Sequence, residues 1–190
     1  GWDWATDNSL PTPEPVWHPS NVTGGTVNKF SRESGLISSV TDQLVIRAAT
    51  TNGIYTSTGL SGTIGQVWTQ TSGAENFTSV CHGKGGVRES LSGHEPEAPQ
   101  SGTIWGTTWG SGVKMGLEQA RFGEHVPETI SWDYRNGTGS GALPEMDNWS
   151  VLQQDDGTVL SGGDTGSGVY RADDEGETTW YESNGGLENT

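Results

Sequence analysis

The chain has 190 residues, 24 of them Asp or Glu against nine Lys or Arg, for a formal net charge of −15, and 29% are hydrophobic. No run approaches the ~20 apolar residues of a membrane-spanning helix, and phosphate affinity comes from clustered Lys and Arg, so a membrane span and an ordinary nucleic-acid binder are both excluded. Thirty Gly, 23 Thr, 20 Ser and nine Trp describe a β-protein with many turns, since disordered chains are poor in aromatics.

Residues 1–20 carry Pro11, Pro13, Pro15 and Pro19, and this spacing predicts an extended, polyproline-like arm. Trp2 and Trp4 on such an arm are costly to leave in water, so they are expected to dock onto a neighbouring surface or a partner subunit. Residues 21–190 are expected to form a β-repeat domain. Within it, Leu44–Ser57, Gly102–Gly116 and Gly157–Ala172 each place β-branched and aromatic residues around a Gly-, Asn- or Ser-rich turn, the pattern of a β-hairpin. The anchoring glycines Gly53, Gly112 and Gly168 lie 59 and 56 residues apart. Each hairpin is followed by a Trp-bearing strand at Trp68, Trp132 or Trp180, giving repeats near 44–69, 102–133 and 157–181. Val16-Trp17 reads as a more remote copy. Residues 90–101 and 136–147 read as loops, and the sole helical expectation is a short patch at Gly116–Phe122.

The last repeat resembles the Asp-box, or BNR-type, repeat of β-propellers. Gly168-Val169-Tyr170-Arg171 fits the entry strand, and Asp174, Gly176, Thr178 and Trp180 fit the box, with Ala172 in place of the usual Ser and Thr179 as an extra residue. In such a box the Asp side chain caps the turn amides, Gly supplies a positive φ and Trp packs on the hairpin. The resemblance is good over residues 157–187 and faint elsewhere. It implies an all-β fold of propeller-like antiparallel hairpins in three copies, forming a partial ring or one completed by other chains. Oligomeric completion would hide open sheet edges.

Sialidases carry Asp-boxes, so glycoside hydrolysis enters as an alternative. None of the arginines at 32, 47, 88, 121, 135 and 171 sits in the Arg-Ile-Pro motif of those enzymes. Cys81, His82 and His94 lack the paired spacing of structural zinc, and Asp155-Asp156-Gly157 and Asp173-Asp174-Glu175-Gly176 lack the full calcium ladder. Gly83-Lys84-Gly85-Gly86 lacks phosphate-loop spacing. No catalytic residue, metal or cofactor is therefore expected. Trp105 and Trp109, four apart across a Gly-Thr-Thr segment, are with Trp2 and Trp4 the candidate residues for a ligand or partner.

Cys81 is the only cysteine, so the fold stands without an intrachain disulfide. Only Lys29, Lys84 and Lys114 are lysines, and the acidic residues are spread along the chain, a composition that resembles the proteins of halophilic archaea and their viruses. The sequence opens at Gly1 with no initiator methionine or apolar signal segment, as processing or truncation would leave it. Sequons at Asn21, Asn76, Asn136 and Asn148 are candidate glycosylation sites. The expectation is a non-enzymatic structural, decoration or adhesion protein on a virion or cell surface in high salt. A homo-oligomer is expected as partner, and a glycan-binding lectin is the alternative.

Overall fold

The computed structural model describes residues 2–3, 16–17, 22, 25–32, 44–59, 65–83, 101–119, 130–144, 146–154, 156–164 and 168–185. Among them there is no α-helix. They form three antiparallel four-stranded sheets, each an up-and-down meander taken in chain order. The first sheet holds β3 (Val27–Arg32), β4 (Leu44–Thr50), β5 (Gly53–Gly59) and β6 (Thr69–Gln70). The second holds β7 (Phe77–His82), β8 (Ser101–Thr108), β9 (Gly112–Gln119) and β10 (Trp132–Tyr134). The third holds β11 (Asn148–Gln153), β12 (Val159–Gly163), β13 (Val169–Ala172) and β14 (Tyr181–Glu182).

The three hairpins read from the sequence coincide with β4–β5, β8–β9 and β12–β13, and Trp68, Trp132 and Trp180 stand at the head of the fourth strands. The expected helical patch is corrected: Gly116–Gln119 continue β9, with Gly116 opposite Ile104 and Leu117 opposite Thr103. Ladder hydrogen bonds on a buried sheet outweigh the modest helix preference of Leu-Glu-Gln. The N-terminal stretch also differs from a wholly unpaired arm. β1 (Trp2–Asp3) and β2 (Val16–Trp17) pair antiparallel, with Trp2 opposite Trp17 and Asp3 opposite Val16.

One latch recurs in each of the three four-stranded sheets at the start of the third strand. Gly53, Gly112 and Gly168 have φ of +116°, +81° and +75°, a conformation open to glycine. The amide of the next residue then donates to a side-chain oxygen placed two residues beyond the fourth strand. Ile54 N–H reaches Ser72 Oγ at 2.7 Å, Val113 N–H reaches Asn136 Oδ1 at 2.8 Å, and Val169 N–H reaches Asn184 Oδ1 at 2.6 Å. In each case the residue before that Ser or Asn also donates its amide to the carbonyl of Ile54, Val113 or Val169, at 2.7–2.8 Å. The latch thus ties the end of each meander to its middle hairpin.

The first strands carry a second recurrent feature. Each has a β-bulge at its second residue, at Asn28, Thr78 and Trp149. Asn28 Nδ2 donates to the carbonyl of Phe77 at 2.6 Å, and Thr78 Oγ1 donates to the carbonyl of Asn148, so β3 is tied to β7 and β7 to β11. Two of the cores lie in the seams so formed, and a third, of Ala48, Tyr55 and Trp68, lies on the outer face of the first sheet. Ala49 and Ile54 of the first sheet pack with Phe77, Val80 and Ile104 of the second. Trp105, Val113 and Met115 of the second pack with Val151, Val159, Tyr170 and Ala172 of the third. The middle sheet is accordingly buried on both faces, with Ser79 and Val80 of β7 fully covered.

Candidate functional site

The β8–β9 turn and the β11 bulge meet at the rim of the second seam and bring two tryptophans together. Trp109 is anchored in the turn through its amide, which donates to the Asn76 carbonyl at 2.9 Å. Trp149 is the bulge residue of β11. Its ring meets Trp109 edge to face, with centroids 5.1 Å apart and planes at 76°. Both stay in solvent contact, 45% and 52% exposed. Trp149 Nε1–H donates to Asp164 Oδ1 at 3.0 Å, which fixes the indole orientation. Met146 is also exposed, and its carbonyl accepts the Gly112 amide at 2.9 Å. The result is an aromatic ledge with a carboxylate held against one indole, suited to stacking on a sugar ring or docking a protein surface.

The tryptophans singled out in the sequence separate here. Trp105 is wholly buried, and its Nε1–H donates to Gln153 Oε1 at 3.1 Å, so it joins the second seam and offers no face to a ligand. Trp109 is at the turn and exposed. Trp2 lies on β1, with nothing described of its side chain, and Trp4 lies outside the described residues. Trp149 was not singled out. Plain alternation along Asn148–Gln153 puts it on the same face as the buried Val151, and the bulge between Asn148 and Ser150 overturns that parity. The signal available was a Trp inside a sequon, beside the residue that opens a strand.

The box residues form a structural turn. Asp174 Oδ2 accepts the Thr178 amide at 3.0 Å and the Thr178 hydroxyl, and these bonds, the hydroxyl's foremost, hold its carboxyl below the usual range. Gly176 has φ +69°, and a β-carbon there would lie 2.7 Å from the Arg135 carbonyl. Trp180 Nε1–H donates to that same carbonyl at 2.8 Å. Gly137 and Thr138 amides reach the carbonyls of Gly176 and Thr178, so the turn is stapled to the segment leaving the second sheet. Tyr170 is buried in the second seam, and Arg171 pairs with Asp173 at 3.1 Å.

Two of the sequon asparagines are consumed by the fold. Asn148 is fully buried and its Oδ1 accepts the Ser161 hydroxyl at 2.8 Å. Asn136 is the latch of the second sheet, and its Nδ2 donates to the Ser111 carbonyl at 3.0 Å. The complete burial of Asn148 leaves no room for a glycan in the folded chain, whereas Asn136 is part-buried. Asn76 is part-exposed, and Asn21 lies outside the described residues.

Other buried polar groups are paired into the architecture, while the buried Ser79 hydroxyl and Trp132 Nε1–H have no hydrogen-bond partner among the described residues. Lys114 Nζ meets Glu75 Oε2 at 2.5 Å and lies 4.3 Å over the Tyr134 ring. Arg47 Nη1 lies 2.6 Å from His82 Nδ1 and 3.0 Å from Nε2; an arginine N–H only donates, so one of the two ring nitrogens presents a lone pair to it. Cys81, adjacent to His82 on β7, faces the opposite seam, packs on the Trp105–Val151 cluster and has its thiol pushed up to about 11 by burial. Alternation along the strand therefore keeps these two ligand types apart. Among the described residues no three His, Cys, Asp or Glu converge on a metal-sized site, and no helix is long and apolar enough to cross a membrane.

No family model matches the chain, and comparisons with curated proteins and with solved structures likewise give no match.

Proposed function

We propose that this chain is a non-enzymatic structural, decoration or adhesion module of a virion or cell surface in a high-salt environment. Its three sheets act as successive blades of a propeller-like arc, with β3, β7 and β11 innermost. The observation that carries the docking role is the Trp109–Trp149 ledge, two exposed indoles in edge-to-face contact, with the Trp149 indole held by Asp164 and the Trp109 backbone by the Asn76 carbonyl. Rigid aromatic surface loses little side-chain entropy on binding, which is why such residues dominate docking hot spots. The acidic surface supports the salt assignment. At a net charge of −15, self-repulsion opposes compactness in dilute buffer and is screened in salt.

The test is binding of the intact chain to isolated surface-layer protein or whole envelopes in about 2 M KCl, where the Debye length is below about 3 Å. Wild-type chain binds, and a Trp109→Ala/Trp149→Ala double variant loses that binding while keeping its fold. Equal binding by the double variant overturns the role of the ledge. A chain that is as stable in dilute buffer as in salt overturns the high-salt assignment.

A glycan-binding lectin is the second reading, favoured by the carboxylate of Asp164 held against Trp149, since sugars combine an apolar face with hydroxyl donors. A glycan array read in the same salt separates the two: selective binding lost in Trp149→Ala supports the lectin. Turnover of fluorogenic glycosides tests the remaining alternative, a glycoside hydrolase fragment.

A further inference from the structure

The two seams inside the chain are built alike; on the outer face of the first sheet Ala48, Tyr55 and Trp68 are buried with Val22, Val27 and Ile46, whereas the third sheet leaves its outer face exposed. Counting from the bulge, Phe30, Val80 and Val151 occupy the same place on the first strands, as do Ser31, Cys81 and Leu152. Val80 packs on Ala49 and Ile54 of the sheet before it, and Val151 packs on Trp105, Val113 and Met115 of the sheet before it. Phe30, at the same position in the first sheet, lies against the Trp68 ring of that cluster, centroids 5.9 Å apart, and is still 59% exposed.

The opposite face shows the converse. Cys81 packs against the cluster that holds Val151, so the fifth residue of a first strand faces the fourth residue of the next. In the third sheet that fifth residue is Leu152, 54% exposed. Register places Leu160 opposite Leu152, Arg171 opposite Leu160 and Tyr181 opposite Arg171, all on one face. Leu160 is part-exposed and Tyr181 is 51% exposed, whereas Trp105 and Met115, the second-sheet counterparts of Leu160 and Arg171, are 0% and 4% exposed. The chain thus carries an exposed Phe at the face that covers, and at the face to be covered a row of exposed Leu152, part-exposed Leu160, Arg171 and exposed Tyr181.

We infer that a second copy of this chain seats its Phe30 face on the Leu152 face of the third sheet, extending the seam that already occurs twice within one chain. This rests on the reading of the three sheets as successive blades, and it names the partner. What covers such a face inside the chain is in both cases the first-strand face of another repeat, and Phe30 is the chain's own exposed example. The contact joins unlike faces, so copies add head to tail and either close a ring, six sheets for two copies, or extend into a filament. Copies at −15 repel one another, so association strengthens with salt.

The experiment uses the full chain in about 2 M KCl, with light scattering and sedimentation on wild type, Phe30→Asp and Leu152→Asp. Wild type self-associates, and each variant weakens association by roughly 30-fold or more, as a central interface residue does. An equimolar mixture of the two variants recovers dimers and nothing larger, because Leu152 of one and Phe30 of the other still form one seam. A monomeric wild type, variants that associate like wild type, or a mixture that stays monomeric each overturns the inference. Far-UV circular dichroism checks folding, and Phe30→Ser with Leu152→Ser replaces any Asp variant that fails to fold. A monomeric wild type that still binds envelopes through Trp109 and Trp149 removes the seam and leaves the docking module standing. The reverse result removes the ledge and leaves the seam.

Discussion

Asn136 sits so close over Gly112 that a β-carbon on Gly112 would lie 2.2 Å from the asparagine Oδ1, the atom that accepts the Val113 amide. The contact is possible because Gly112 has no side chain and holds φ at +81°. Asn184 repeats it over Gly168, with the corresponding distance at 2.1 Å, and Ser72 plays the same part for Ile54 in the first sheet. The latch fastens the last strand of each meander to its central hairpin.

Asn136→Ala leaves the Val113 amide and the Ser111 carbonyl without their side-chain partner in a part-buried place, and is expected to cost about 1–3 kcal/mol. Asn136→Ser costs less, because serine already serves at position 72. Gly112→Ala costs at least as much as Asn136→Ala, since it combines a positive φ with a clash against a doubly held side chain. Denaturant unfolding of the three variants checks this order, and an unaffected Gly112→Ala would show that the latch is not formed.

How much of this was legible in the sequence follows from which interactions are local. The β4–β5, β8–β9 and β12–β13 hairpins announce themselves because turn glycines and β-branched residues lie within one short window. The first strands were missed. In β3, β7 and β11 the bulge breaks the two-residue alternation, and β3 and β7 reach their partners through long connections. The latch was readable in principle. Thr71-Ser72-Gly73, Arg135-Asn136-Gly137 and Ser183-Asn184-Gly185 each follow a Trp-bearing strand, although the gap from the anchoring glycine varies between 16 and 24 residues. Varying gaps hide a repeat from a fixed-period search. Of the candidate ledge, Trp109 was named from its place near a turn, while Trp149 depended on a bulge that only sheet pairing reveals.

Asp174 links the box turn to pH. Its folded-state carboxyl lies below the ordinary value of 3.8, chiefly through the Thr178 hydroxyl. A depressed folded value means the stabilisation is fully present above the unfolded value and is lost as pH falls through the folded one. The site is exposed, so the effect is small and solvent-screened. Asp174→Asn is expected to unfold at a lower temperature than wild type at neutral pH, with the gap closing below about pH 4. Melting curves between pH 7 and pH 3 check it, and a gap constant across that range would mean that the ionised carboxylate does not hold the turn.

Cys81 is partly buried and held in its neutral form. With its thiol pushed up to about 11 by burial against the second seam, almost none of it is thiolate at pH 8. Iodoacetamide at pH 8 is therefore expected to label the folded chain far more slowly than the denatured chain. Mass spectrometry over a time course gives the two rates, and equal rates would place Cys81 outside the seam.

Trp105 and Trp109 are four residues apart and energetically opposite. Trp105 is wholly buried among Val113, Met115, Leu143 and Val151, and its indole N–H shares the Gln153 amide oxygen with the Thr103 hydroxyl. Truncating it opens a cavity between the second and third sheets, so Trp105→Ala is expected to cost about 3–5 kcal/mol. Trp105→Phe retains much of the packing and loses only the indole bond, and Thr103 still satisfies the Gln153 oxygen, so its cost falls to about 1–2 kcal/mol. Trp109 gives up an exposed edge-to-face contact with Trp149, worth about 1 kcal/mol at most. Chemical denaturation of Trp105→Ala, Trp105→Phe and Trp109→Ala ranks the three. A Trp109→Ala variant as unstable as Trp105→Ala would mean that the ledge is part of the core, and its availability to a partner would fall with it.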